Sequence, residues 1–135
     1  MDFKELGFIK NLVDLFDHTT VLWSNEKQSM IDFFNTEFKR VMIMKKNPTA
    51  ENMAEFLTNI IINIVNNNEY YKSIVKGVEV EVYETKYNSA IYKIEDISIA
   101  TLLYDDVTFF ASEEIVNDYN NFLKDNNCIL IGSAV

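Results

Sequence analysis

Apolar positions along the chain fall into alternating helical and extended periods. Phe3, Leu6, Ile9, Leu12, Val13 and Phe16 recur at three- and four-residue spacing, which predicts an amphipathic first helix, with Asp2 and Glu5 as its N-cap pair. A polar stretch from Ser24 to Lys27 leads to a short apolar helix or turn carrying Met30, Ile31, Phe33 and Phe34, and then to the strand-like run Arg40 to Met44. Pro48 biases Asn47 away from helix, and the Thr49 hydroxyl can accept a bond from an unpaired first-turn amide. A long helix is therefore expected to start there. Met53, Phe56, Leu57, Ile60, Ile61, Ile64 and Val65 form its apolar stripe, and the asparagines at 66 to 68 are its expected end.

Strict alternation in Val78-Glu79-Val80-Glu81-Val82-Tyr83-Glu84 predicts a strand with one apolar and one acidic face, which the long helix should cover. A turn around Lys86 to Asn88 and a return strand through Ser89 to Tyr92 complete a hairpin. A second hairpin is expected from Ile97 to Tyr104 and Val107 to Ala111, joined by Asp105-Asp106. A Ser112-capped helix follows, carrying Ile115, Val116, Tyr119, Phe122 and Leu123, and then a final strand from Cys128 to Ile131. The pattern contains no internal repeat and no long linker.

Composition narrows the functional classes. With 135 residues, 48% hydrophobic, the chain suffices for one domain. A net charge of -9 repels phosphate backbones and anionic membrane surfaces, so no nucleic acid and no membrane partner is expected. The only cysteine, Cys128, has no intrachain disulfide partner and reads as an inert buried thiol. The N-terminus has no signal-peptide pattern and no apolar run approaches a membrane span, so a cytoplasmic location is expected.

Three places could carry chemistry. Glu84 continues the parity of Val78, Val80 and Val82, toward a face where an unpaired carboxylate is costly. It either awaits a ligand with two adjacent N–H donors or lies past the end of the strand and faces water. Asp17-His18, just after the first helix, is either a general base tuned by its neighbouring carboxylate or a helix-end capping pair. Thr49 and Glu51 read first as helix-start residues.

In order, Met1-Asp2-Phe3-Lys4-Glu5-Leu6, Asp17-His18, Asn47-Pro48-Thr49-Ala50-Glu51-Asn52, Tyr83-Glu84-Thr85 and Ala90-Ile91-Tyr92 resemble the C-terminal part of the 6-pyruvoyl-tetrahydropterin and 6-carboxytetrahydropterin synthase family. The resemblance covers residues 1 to 92. It implies an α+β tunnelling fold, an antiparallel sheet packed by two helices, here without the usual first hairpin. Residues 93–135 would be a C-terminal strand-helix-strand extension packing on the same domain as residues 1–92. Their hairpin would fill the sheet positions beside the Val78 strand, an idea that fails if residues 97 to 111 pack away from that sheet.

By the same resemblance Glu84 would anchor the pterin, with Thr49 and Glu51 close by, and Asp17 and His18 would belong to the proton-transfer set. The implied substrate is 7,8-dihydroneopterin triphosphate, converted by a lyase toward tetrahydrobiopterin or toward queuosine. Zinc is the family's cofactor, but its histidine ligands and a catalytic cysteine lie in the first hairpin, and His18 alone cannot rebuild a three-ligand site. No metal ligand is therefore assigned. Three readings follow: an enzyme subunit or fragment whose zinc half is supplied by a second polypeptide or lies upstream of a mistaken start, a catalytically inactive pterin-binding or assembly protein, and an interaction protein with a fortuitous resemblance; the family's ring assembly further implies a homo-oligomer.

Overall fold

The computed structural model describes residues 7–102 and 108–126. Their order is α1 (Phe8–Phe16), β1 (Thr20–Trp23), α2 (Gln28–Glu37), β2 (Val41–Met44), α3 (Ala50–Asn66), α4 (Glu69–Ile74), β3 (Val78–Tyr83), β4 (Ser89–Ile94), a 3₁₀ turn (Ile97–Ile99), β5 (Phe110–Ala111) and α5 (Glu113–Asp125). Helices and small sheets alternate, so the class is α+β, as the sequence pattern indicates.

The central element is α3. Every residue from Thr58 to Val65 is buried, as expected of a helix that is apolar nearly all round. Thr49 caps it as anticipated, its hydroxyl oxygen accepting from the Asn52 amide at 3.2 Å. Against α3 lies the β3–β4 hairpin, antiparallel from Val78↔Ile94 to Tyr83↔Ser89. Its alternation holds in three dimensions, with Val78, Val80 and Val82 half-buried and Glu79, Glu81 and Tyr83 exposed. Gly77 enters β3 where a Cβ would sit 2.8 Å from the carbonyl oxygens of Glu95 and Ile94, so the close backbone approach requires glycine.

A separate sheet has the order β1-β2-β5. The parallel pair, Thr20↔Val41 to Trp23↔Met44, needs a crossover, which α2 supplies. Ile31 of α2 packs with Leu22 and Val41. Strand β5 pairs antiparallel with β2 through Met42↔Ala111 and Ile43↔Phe110. A chain of rings then ties this sheet to the helices: Phe56 lies 5.5 Å from Phe109, and Phe109 lies 4.9 Å from Tyr119 of α5.

Several expectations need correction. The hairpin anticipated at 97–111 is absent among the described residues: Ile97–Ile99 is a 3₁₀ turn, and β5 joins β2 rather than the Val78 strand. Asp96 fixes the turn by accepting from the Ser98 hydroxyl at 2.6 Å and the Ser98 amide at 3.0 Å, and these bonds lower its pKa. Among the described residues, the C-terminal segment therefore adds no strand to the hairpin's sheet. Strand β1 and helix α4 were not anticipated at all. Ser112 stands at the start of α5, yet its hydroxyl donates to the Lys39 carbonyl at 2.7 Å and accepts from the Val41 amide at 3.1 Å, so it ties α5 to β2 instead of capping the helix. Helix α1 is also rotated from expectation: Phe8, Leu12 and Leu15 are buried, while Ile9 and Val13 are exposed. The expected N-cap pair Asp2 and Glu5 and the expected strand Cys128 to Ile131 lie outside the described residues.

Candidate functional site

The reversal from α1 into β1 is made by Asp17 and His18. His18 has φ 56°, a left-handed conformation uncommon for a residue with a Cβ, though histidine tolerates it better than most. The Asp17 carboxylate compensates locally: one oxygen accepts the His18 amide at 3.1 Å, and the other lies 3.5 Å from His18 Nε2. The imidazole is 90% exposed, so its orientation rests on this aspartate alone among the described residues.

Arg40 holds the turn from below. Its guanidinium donates to the Leu15 carbonyl at the end of α1, to Glu114 at 2.8 Å and to Asp118 at 2.7 Å. Burial disfavours its charge, but the bonds and charges of Asp118 and Glu114 outweigh that, and its pKa is raised. The Thr20 amide also donates to the Arg40 carbonyl at 3.0 Å, so one residue binds both sides of the Asp17-His18 corner. Sequence reading had placed Arg40 only as the first residue of a strand. Its distant partners leave no local signal.

Thr49 is half-buried and occupied in capping, and Glu51 is exposed in the first turn of α3, where its charge faces the positive end of the helix. Beside them is a small cleft of about 40 Å³ lined by Lys45, Lys46, Asn52, Glu55 and Thr108 among others. Such a volume holds a water molecule or two, well short of the few hundred Å³ of a pocket for a bicyclic ligand.

Glu84 lies one residue beyond the end of β3 and is exposed. Its amide donates to the Asn88 carbonyl at 2.9 Å, closing a turn in which the Thr85 hydroxyl oxygen accepts from the amides of Asn88 and Tyr87 at 3.1 and 3.3 Å. Its carboxylate is exposed. Among the described residues no hydrogen bond or ion pair links Asp17-His18, Thr49-Glu51 and Glu84 to one another. The single chain presents them as three separate positions at element ends.

A larger space lies elsewhere. A groove of about 390 Å³ runs between α1, α3 and β3, lined by Ile9, Val13, Leu57, Ile61, Val78 and Val80 among others, with Glu79 and Glu81 on its rim. It contains none of the five candidate residues. The sequence hid it, because Ile9 and Val13 read as part of the buried face of the first helix.

No group of three His, Cys, Asp or Glu side chains able to hold a metal occurs among the described residues, and the sequence has one histidine. This donor set does not fit a three-ligand zinc site built by this chain alone. No helix of the described residues is long and apolar enough to cross a membrane.

The arrangement, a capped long helix laid on an antiparallel hairpin beside a second small sheet that contains a parallel pair, is α+β rather than one antiparallel sheet packed by two helices. The model of the 6-pyruvoyl tetrahydropterin synthase family matches residues 1–95, and the chain belongs to that family. A comparison with curated proteins finds no match.

Proposed function

We propose that the protein is a 6-pyruvoyl- or 6-carboxytetrahydropterin synthase-like lyase component that binds 7,8-dihydroneopterin triphosphate. The family match over residues 1–95 carries this reading. Members of the family typically bind zinc; the donor set of the described residues does not fit, so the metal ligands and the catalytic cysteine would come from another segment. Residues 1–92 are the pterin-synthase-like unit, and residues 93–135 are an extension supporting it through the Phe109 and α5 contacts. Glu84 would accept the paired N–H donors of the pterin, with Thr49 and Glu51 beside it. His18, held by Asp17, would exchange a proton with the substrate. Since the three positions lie apart in one protomer, assembly into a homo-oligomer or with a complementing chain would complete the site. A cytoplasmic, soluble pterin pathway, either biopterin or queuosine, is the setting this implies.

The single histidine favours one second reading, a catalytically inactive protein that keeps pterin affinity. Fluorescence titration with 7,8-dihydroneopterin triphosphate tests the common part. Binding is expected, weakened roughly ten- to a hundredfold by Glu84→Gln, the range for losing a hydrogen bond to a charged group. Absence of binding by the full chain, both alone and with a zinc-binding segment of the family supplied, overturns both readings. Binding that persists without turnover, even when a zinc-binding segment of the family is supplied, selects the inactive one.

A further inference from the structure

Helix α2 packs Ile31 against Leu22 and Val41 of the β1-β2-β5 sheet, yet its other side is apolar as well. At 3.6 residues per turn Met30, Phe33, Phe34 and Glu37 fall on one stripe. Met30, Phe33 and the following Phe38 are 42, 57 and 46% exposed. The three rings are contiguous, since Phe34 lies 5.5 Å from Phe33 and stacks on Phe38 at 5.4 Å. A joined aromatic surface of this kind marks an interaction site more often than a scattered exposed side chain does. Opposite charges stand at the two ends of the stripe. Lys27 immediately precedes α2 and Glu37 closes it, both are exposed, and neither has an ion-pair partner among the described residues. Asp32, the other charge of the helix, lies on the far flank, where it accepts from Gln28 Nε2 at 2.8 Å.

We infer that α2 packs antiparallel against α2 of a second copy of this chain, across a two-fold axis midway between Lys27 and Glu37. That register sets Lys27 of each copy beside Glu37 of the other, and symmetry makes the pair twice. Met30 then meets Phe34 of the other copy, the two Phe33 rings flank the axis, and the Asp32 carboxylates stay on the outer flanks. Parallel packing fails, because it would set Lys27 beside Lys27 and Glu37 beside Glu37. The charges at the ends therefore select a second copy in one orientation. A membrane surface fits less well, since a chain of net charge -9 is repelled by anionic lipid. A helix of 10 residues is only about 15 Å long, so the contact lies at the small end of specific interfaces and its affinity should be micromolar. The contact uses neither edge of the β3–β4 hairpin and does not depend on pterin binding.

The test is sedimentation velocity of the full chain over about 1 to 100 μM, at about 0.15 M salt, where repulsion between the copies is screened beyond about 8 Å. Phe33→Glu should weaken the association at least about a hundredfold with an unchanged circular dichroism spectrum, because two glutamates then face each other at the axis. Lys27→Glu and Glu37→Lys should each weaken it about tenfold, since either change sets like charges together twice. Both changes in one chain should restore the native association to within about threefold, a rescue that general surface charge would not produce. A mass unaffected by Phe33→Glu overturns the inference, as do single-charge variants that the double exchange does not repair. Recruitment of a monomeric chain to phosphatidylcholine-phosphatidylglycerol vesicles, lost in Phe33→Glu, would assign the stripe to a membrane surface and also overturn it.

Discussion

The two sides of α3 differ in how completely they are closed. On the side of β2, β5 and α5, Val41, Met42, Phe109, Ile115, Tyr119 and Leu123 are all at most 1% exposed, and Arg40 and Ser112 join the elements by hydrogen bonds to backbone and carboxylates. On the side of the β3–β4 hairpin, the valines are only half-buried, Ile91 is 58% exposed, and the strand edge beside α1 is open. The first side is a finished interior, whereas the second leaves apolar surface in contact with solvent. The candidate pterin residue Glu84 lies on the open side, whereas Arg40 secures the Asp17-His18 corner from the closed one.

Truncations should separate these sides most strongly. Leu123→Ala is expected to cost about 2–5 kcal/mol, the range for a fully buried leucine, while Ile91→Ala stays within about 0.5 kcal/mol. Urea unfolding of both variants measures this, and equal losses would erase the contrast. Gly77→Ala should come next, at about 1–3 kcal/mol, because its methyl group meets two backbone carbonyls that no side-chain rotation can relieve. Thermal unfolding should show the loss. Thr49→Ala should follow, at about 1 kcal/mol from the missing cap. If Thr49 only caps α3, pterin affinity stays constant at temperatures where the variant is folded; a further fall in affinity would show that it contacts ligand.

Legibility in the sequence followed the range of the interactions. The β3–β4 hairpin, the Thr49 cap and the extent of α3 were readable because alternation, capping and helical period are local signals. Strand β1 was not, since four residues paired in parallel with a strand beyond a crossover helix show no alternation. The rotation of α1 escaped because Phe8 and Ile9 are both apolar, and only packing against distant elements decides which one turns inward. Residues 97–102 read as a strand on apolar content, but Asp96 stops the chain locally with its two bonds to Ser98. The candidate site residues rest on residue types and family pattern alone. The roles of Arg40 and of the groove come from contacts between remote segments, which no local pattern encodes.

The bond from Ser112 to Lys39 spans 73 residues of chain, and β5 meets β2 at comparable separation. During synthesis the hairpin emerges before either contact can form, and Phe109 and α5, which close the interior around Phe56, appear only after it. Loop-closure entropy delays such distant pairings. A growing chain thus exposes the apolar surface of α3 until α5 is available, so the newborn protein passes through a period when it is sticky on the very side that is later sealed.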